Sequence, residues 1–394
     1  MTVSAGLQPQ RRERDPQLLP PPRIPPASGF SFACVNTYNL PLWGDAVRFR
    51  LLWLPVSLLC VFVFSASALH AGPHSFELLP TSEEGPHIFG KGVISTPGDE
   101  AGGVFSPDGN DFYFAQMNPT TTFPRIGLLC VSHWNGKTWS QPEALPFSGK
   151  SLDFPPRLSP DGKTMFFASS RLPADSKAHV LRIWKVERVG EGWGEPTPVP
   201  APINSEDRWN WGASVTADGT IYFTSDRDEP GHPRIYRARL VNGVYQQPEK
   251  LGPEINSEFN DSDPYVSANE SLLFFVASGE GGPPFRHRPD ALTGGGFPYA
   301  RGDIYMSERV NGKWTQAKHL NRGVNSVADE GTPALTPDEK QLIFSSERSP
   351  FVIPMPKRID MAEFEKLVHS VLNGHGNIYS IPVHALGVSD RGNK

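Results

Sequence analysis

Val104-Phe105-Ser106-Pro107-Asp108-Gly109, leading into Phe112-Tyr113-Phe114, reads as a short apolar strand, a tight turn and a returning aromatic strand. Proline presets φ, aspartate caps the turn through its side chain, and glycine accepts positive φ. The pattern recurs four times: Arg157-Leu158-Ser159-Pro160-Asp161-Gly162 to Met165-Phe166-Phe167, Ser214-Val215-Thr216-Ala217-Asp218-Gly219 to Ile221-Tyr222-Phe223, Tyr265-Val266-Ser267-Ala268-Asn269-Glu270 to Leu273-Phe274-Phe275, and Ala334-Leu335-Thr336-Pro337-Asp338-Glu339 to Leu342-Ile343-Phe344. The turns centre on residues 108, 161, 218, 269 and 338, and the last gap is lengthened by a Gly/Pro-rich stretch, 279–301.

A third strand follows in each unit, at 126–133, 182–188, 234–240, 303–309 and 377–383. In four units it runs into a second tight turn, Asn135-Gly136, Gly190-Glu191-Gly192, Asn242-Gly243 or Asn311-Gly312, and an aromatic (Trp139, Trp193, Tyr245, Trp314) opens a fourth strand. Asn-Gly between apolar runs is a strong hairpin signal. Repeated four-stranded antiparallel meanders of this period predict an all-β fold, a β-propeller with five blades over residues 72–386, followed by a tail at 387–394.

The fifth unit stops after its third strand. Lys91-Gly92-Val93-Ile94-Ser95 with Asp99-Glu100 matches Arg322-Gly323-Val324-Asn325-Ser326 with Asp329-Glu330. The N-terminal segment is therefore expected to supply the missing fourth strand and close the ring, removing its open edges. Residues 360–373 read as a short surface helix rather than part of a sixth blade.

Composition agrees. Among 394 residues there are 41 Pro and 37 Gly without a Gly-X-Y period, which excludes collagen and argues against a helical bundle. A net charge of −5 gives a nucleic-acid partner no electrostatic support.

Residues 1–46 are Pro-rich without apolar periodicity, as in a disordered extension. Arg48 and Arg50, the apolar run 51–64 and Ser65-Ala66-Ser67-Ala68 follow in the order of a signal peptide, here 47–71. One reading starts translation near Val47, so that residues 1–46 precede the true start. The apolar run is shorter than the roughly 20 residues of a spanning helix, which favours a cleaved signal over a membrane anchor. Export to the periplasm or cell exterior is the expectation, with membrane contact only through 51–71 if uncleaved. Of Cys34, Cys60 and Cys130, cleavage leaves only Cys130, expected to be a buried strand thiol.

The Ser-Pro-Asp-Gly turn, the aromatic strand after it and the Asp303-Ile304-Tyr305 third strand resemble the WD-like repeats of TolB-type β-propellers over about residues 85–385. The resemblance implies the fold, with a six-bladed ring as the alternative count. It does not extend to the separate N-terminal α/β domain of TolB, and points instead to exported, stand-alone propellers.

Carboxylates precede every innermost strand: Asp99 and Glu100, Asp153, Asp207, Asp261 and Asp263, Asp329 and Glu330. Gathered at one channel mouth, they would bind a cation, a sugar or a basic peptide. Alternatively, each caps a turn or pairs with an arginine of its own blade. Arg171, Arg227 and Arg348 lie four residues after Phe167, Phe223 and Phe344, and fit either an anion clamp or such bridges. Trp209 and Trp211 would stack on a ligand or roof the core. The stretch 279–301, with Arg286, His287, Arg288 and Arg301, would lid the channel or simply decorate it. No H-E-x-x-H, G-x-S-x-G or P-loop occurs, and no cofactor is implied. The expected function is binding of a protein or peptide partner at the channel face, without catalysis. The alternative is a propeller that binds or hydrolyses glycans.

Overall fold

The structure, a computed structural model, describes residues 85–386 apart from 119–125, 174–179, 206, 279–301, 321–322, 327 and 351–356. The signal-peptide reading and the 279–301 stretch lie outside these residues. The described chain is a five-bladed β-propeller.

A short strand, β1 (His87–Ile88), comes first. The first blade is β2 (Asp99–Phe105), β3 (Asp111–Met117), β4 (Gly127–His133) and β5 (Glu143–Ala144). The second is β6 (Arg157–Leu158), β7 (Thr164–Ser169) and β8 (Arg182–Val189), edged by β9 (Gly192–Trp193) and β10 (Thr197–Pro198). The third is β11 (Asn210–Val215), β12 (Ile221–Ser225), β13 (Arg234–Ala238) and β16 (Glu249–Lys250), with the side hairpin β14 (Leu240–Val241) and β15 (Val244–Tyr245). The fourth is β17 (Asn260–Val266), β18 (Leu272–Ser278) and β19 (Gly302–Val310), edged by β20 (Lys313–Trp314) and β21 (Lys318–His319). The fifth is β22 (Glu330–Leu335), β23 (Gln341–Ser346) and β24 (Asn377–Pro382), and its outer edge is β1. All pairings between these strands are antiparallel.

The turn that decided the fold works as its chemistry demands. Ser106 donates to Asp108, and Ser159, Thr216 and Thr336 donate likewise to Asp161, Asp218 and Asp338. These hydroxyls, the first cause in each case, hold all four carboxyls below the usual range. The aromatics Trp193, Tyr245 and Trp314 do not open the main fourth strand. They form small outer hairpins, and the edge strand resumes a few residues later, after Pro196 in the second blade and Pro248 in the third. Proline has no N–H to give a ladder.

The hydrophobic cores lie between blades. Leu129 and Val131 pack on Met165 and Phe167; Phe166 and Ile183 on Ile221 and Phe223; Tyr222 and Ile235 on Leu273 and Phe275; Phe274 and Ile304 on Leu342 and Phe344. The fifth core joins Phe112, Phe114 and Cys130 of the first blade to Ile343 and Ile378 of the last. Burial pushes the Cys130 thiol up to about 11, which suits an inert core sulfur.

The ring closes through the N-terminal segment: His87 pairs with Ser380 and Ile88 with Tyr379. The closing strand lies just before the matched motif, and Lys91–Ser95 is the turn that follows it. Among the described residues of 347–376 there is no sixth blade. They carry α1 (Met361–Val368), started by a capping box between Asp360 and Glu363.

Candidate functional site

At or just before the start of each innermost strand lies one buried polar residue: Glu100, Asp153, Asn210, Asp261 and Glu330. Each is engaged within its own blade and the turn leading into it. Arg171 Nη2 donates to both oxygens of Asp153, at 2.8 and 2.7 Å, and Ser148 and Ser169 donate to the same carboxylate. Glu330 accepts from Ser326, Ser346 and Arg348 Nη2, the last at 3.3 Å. Burial pushes Glu330 up and Arg348 down, and their contact offsets part of each shift. The arginines do more than neutralise. Arg171 donates to Phe147 O, Arg227 to Pro202 O and Ile203 O, and Arg348 to Gly323 O and Val324 O, in the turn preceding the strand. Each also lies over the blade aromatics: Phe167 and Trp184, Phe223 and Tyr236, Phe344 and Tyr379.

Three blades vary this clip. In the third, Asn210 holds the position, accepting from Ser225 and Arg227. Asp207 is not its equivalent: its side chain is 74% exposed and lies beside Arg208. In the first, Asn118 stands where the arginine would be, and Glu100 takes Thr96 and Gln116 instead; burial raises its pKa, and these hydrogen bonds partly offset the rise. In the fourth, Gly279 replaces the arginine in sequence. Asp261 there accepts from Ser257, with Arg234 at 3.8 Å, and burial pushes its carboxyl up to about 7. One residue upstream, Asp99 accepts from Gly376 N and Asp329 from Gly302 N, capping the third strand of the preceding blade.

Two residues past the clip, the strands bulge around the axis at Gly102, Gly212, Asp263 and Thr332, with φ of 63°, 59°, 50° and 49°; Pro155 holds the fifth position. The approach is close. A Cβ on Gly102 would overlap Pro155, and one on Gly212 would lie 2.8 Å from Asp263 Oδ1. Asp263 and Thr332 hold without glycine a conformation that costs about 1–3 kcal/mol. Of the carboxylates singled out in the sequence, Asp263 is the one on this ring. The Trp211 indole donates to it, its backbone N–H donates to Thr224 Oγ1, and burial pushes it up to about 6 against the pull of Arg157 and Trp211.

Arg157 is the residue that reading by sequence passed over. It is 6% exposed, and its guanidinium donates to Pro156 O at 3.2 Å and to Pro333 O at 3.0 Å. Pro333 belongs to the fifth blade, which is not a neighbour of the second, so Arg157 reaches across the axis. A lone arginine opening an innermost strand, where the other units have Val104, Ser214, Tyr265 and Ala334, was the available signal. A second missed device is Asn204, Asn256 and Asn325. Each accepts from a third-strand N–H and donates back to that strand and to the edge strand. Its signature is the recurring Ile/Val-Asn-Ser.

No family model and no curated protein sequence matches the chain. Among solved structures it is similar to a putative TolB from Agrobacterium tumefaciens, with 16% identity, 73% of this chain and 91% of that one covered, and a TM-score of 0.40. It is also similar to an α-L-arabinofuranosidase from Lactobacillus brevis (14% identity, 75% and 92% covered, TM-score 0.44). A third is a puromycin-hydrolyzing peptidase from Mycobacterium tuberculosis (12% identity, 71% and 41% covered, TM-score 0.33). The likeness is one of propeller architecture, and function has to be argued from the site.

Proposed function

We propose that this chain is an exported, non-enzymatic propeller that binds a protein or peptide partner on one face of the ring. The observation that carries the reading is the unequal length of the connections. On one face every connection between the first and second strand spans five residues. On the other, the second strands end and the third strands begin, separated in sequence by residues 118–126, 170–181, 226–233, 279–301 and 347–376. Binding residues sit disproportionately on loops held by a rigid scaffold. Asp207, Asp228, Glu229 and Glu258 are exposed on this face beside the partly exposed Trp209 and Trp211, so a partner presenting basic and aromatic groups is favoured.

Hydrolysis of a glycoside is less well supported. It needs two carboxyl groups flanking one bond, whereas Glu100, Asp153, Asp261 and Glu330 are turned into their own blades. Affinity capture with residues 72–394 from an envelope fraction, beside Asp207→Lys and Trp209→Ala, tests the proposal. A discrete protein captured by the parent and lost from both variants supports it. Capture indifferent to both variants, or a glycan array bound in its place, rejects it.

A further inference from the structure

The third strands end on the face that carries the five-residue connections, and in the first four blades each runs there into an outer turn. The last paired residue before that turn is Trp134, Val189, Val241 or Val310, matched across the hairpin by Trp139, Gly192, Val244 and Lys313. Trp134, the three valines and Val244 are 38–66% exposed. A lone exposed valine needs no explanation. An apolar side chain held out at the same register position of four blades does, because threonine would serve a solvent-facing strand end equally well. Equivalent positions of blades set around one axis lie at one height, so these tips define a plane. In the fifth blade β1 is the edge, and it runs away from this face, with His87 opposite Ser380 and Ile88 opposite Tyr379. The chain therefore reaches β1 from the side of the tips, and residues 65–86 connect β1 to the apolar run 51–64.

We propose that this hairpin face rests on a lipid bilayer, with Trp134, Val189, Val241, Val244 and Val310 dipping into its interface. A flat ring of apolar groups spread over separate blades suits a fluid planar surface, which fills the gaps between tips. A protein hot spot needs contiguous packing instead. Tryptophan favours the membrane interface, and the exposed Lys137 and Lys313 lie in the turns of two of the tips, where an ammonium can meet headgroups. Charge is not the driving force. In the neighbouring turns Lys163 lies 3.6 Å from Asp161 and Lys340 3.3 Å from Asp338, so the cations there are already balanced. The surface is opposite the face of long connections, and stands or falls independently of the partner-binding reading.

Flotation of residues 72–394, which carry the whole propeller without the apolar run, with vesicles of phosphatidylethanolamine and phosphatidylglycerol tests it. Saturable binding that persists at high salt is expected, because screening weakens charge pairing and not apolar insertion. Val189→Asp combined with Val310→Asp should weaken it at least about tenfold. Both side chains are exposed, so the fold is kept. Leu172→Asp, an exposed apolar residue in a long connection of the opposite face, should leave binding unchanged. Absence of vesicle binding, binding abolished by salt, or equal loss in Leu172→Asp overturns the proposal. Self-association of the parent that the double variant abolishes, without vesicle binding, also overturns it and assigns the face to a second copy of the chain.

Discussion

Arg171 grips both carboxylate oxygens of Asp153, and the same guanidinium reaches Phe147 O in the preceding turn. The pair therefore ties a blade to the connection that delivers it. Removing one member of such a pair leaves a charge stranded, at a cost of about 3–5 kcal/mol when it is buried. Arg171 is 16% exposed, so Asp153→Ala should cost about 3 kcal/mol in urea unfolding at pH 7.5. Asp153→Asn should cost less, about 1–2 kcal/mol, because Asn210 already holds Arg227 and Ser225 at the equivalent position. An unchanged urea midpoint for Asp153→Ala would refute this role.

Asp261 should behave in the opposite way. It is fully buried, and its carboxyl is raised from 3.8 to about 7 mainly by burial. With the folded pKa above the unfolded one, the native state holds the extra proton between about pH 4 and 7. The stability it lends is complete below pH 4 and is lost as pH rises through 7. Asp261→Asn, an amide where the third blade already has one, should stabilise the domain by about 2 kcal/mol at pH 8. That gain should shrink as pH falls and vanish only below about pH 4. A variant less stable than the parent at pH 8 would show that Arg234 does hold an ionised Asp261.

The blades were legible because each repeats the same turn chemistry: Ser106, Ser159, Thr216 and Thr336 all cap the same way, and alternation did the rest. Ring closure was legible from the match between Lys91–Ser95 and residues 322–326, although the paired strand proved to be the two residues before that turn. The site was less so. Residues that precede a strand all look alike in sequence, and a β-bulge decides which of them meet the axis. Asp261 and Asp263 are two residues apart on β17, yet one is sealed against Ser257 and the other faces Arg157. The arginine reaching from the second blade toward the fifth depends on ring geometry that no local pattern encodes.

The tightness of that ring gives a backbone prediction. Gly102 and Gly92 both have positive φ, but a Cβ at Gly102 would overlap Pro155 whereas one at Gly92 meets open space. Gly92→Ala should therefore cost only the left-handed penalty, about 1–2 kcal/mol. Gly102→Ala must add overpacking of a further 1–3 kcal/mol. Chemical unfolding of the two variants side by side measures the difference. Equal losses would mean that the first two blades do not approach at Gly102 and Pro155.

Closure by the N-terminal segment is a joint between the last blade and the first. β1 offers only two paired residues, but Phe89 N donates to Ile378 O, and the Ser95 hydroxyl both donates to Ile378 O and accepts from Ile378 N. The Phe89 ring then packs against Phe105, Phe112 and Trp139 of the first blade, at 5.6, 4.7 and 5.7 Å between centroids. Removing residues 72–95 would expose the edge of β24 and empty part of the core around Phe112 and Ile343. An open edge that keeps its hydrogen-bonding groups is a template for another chain. The truncated protein should melt more than about 10 °C lower, taking roughly 2–4 °C per kcal/mol for a domain of this class. It should also oligomerise at concentrations where the parent does not. The whole domain should lose stability together, since a ring shares its cores between neighbours. A truncated chain that stayed in the parent's oligomeric state with the parent's melting temperature would show that the segment only decorates the fifth blade.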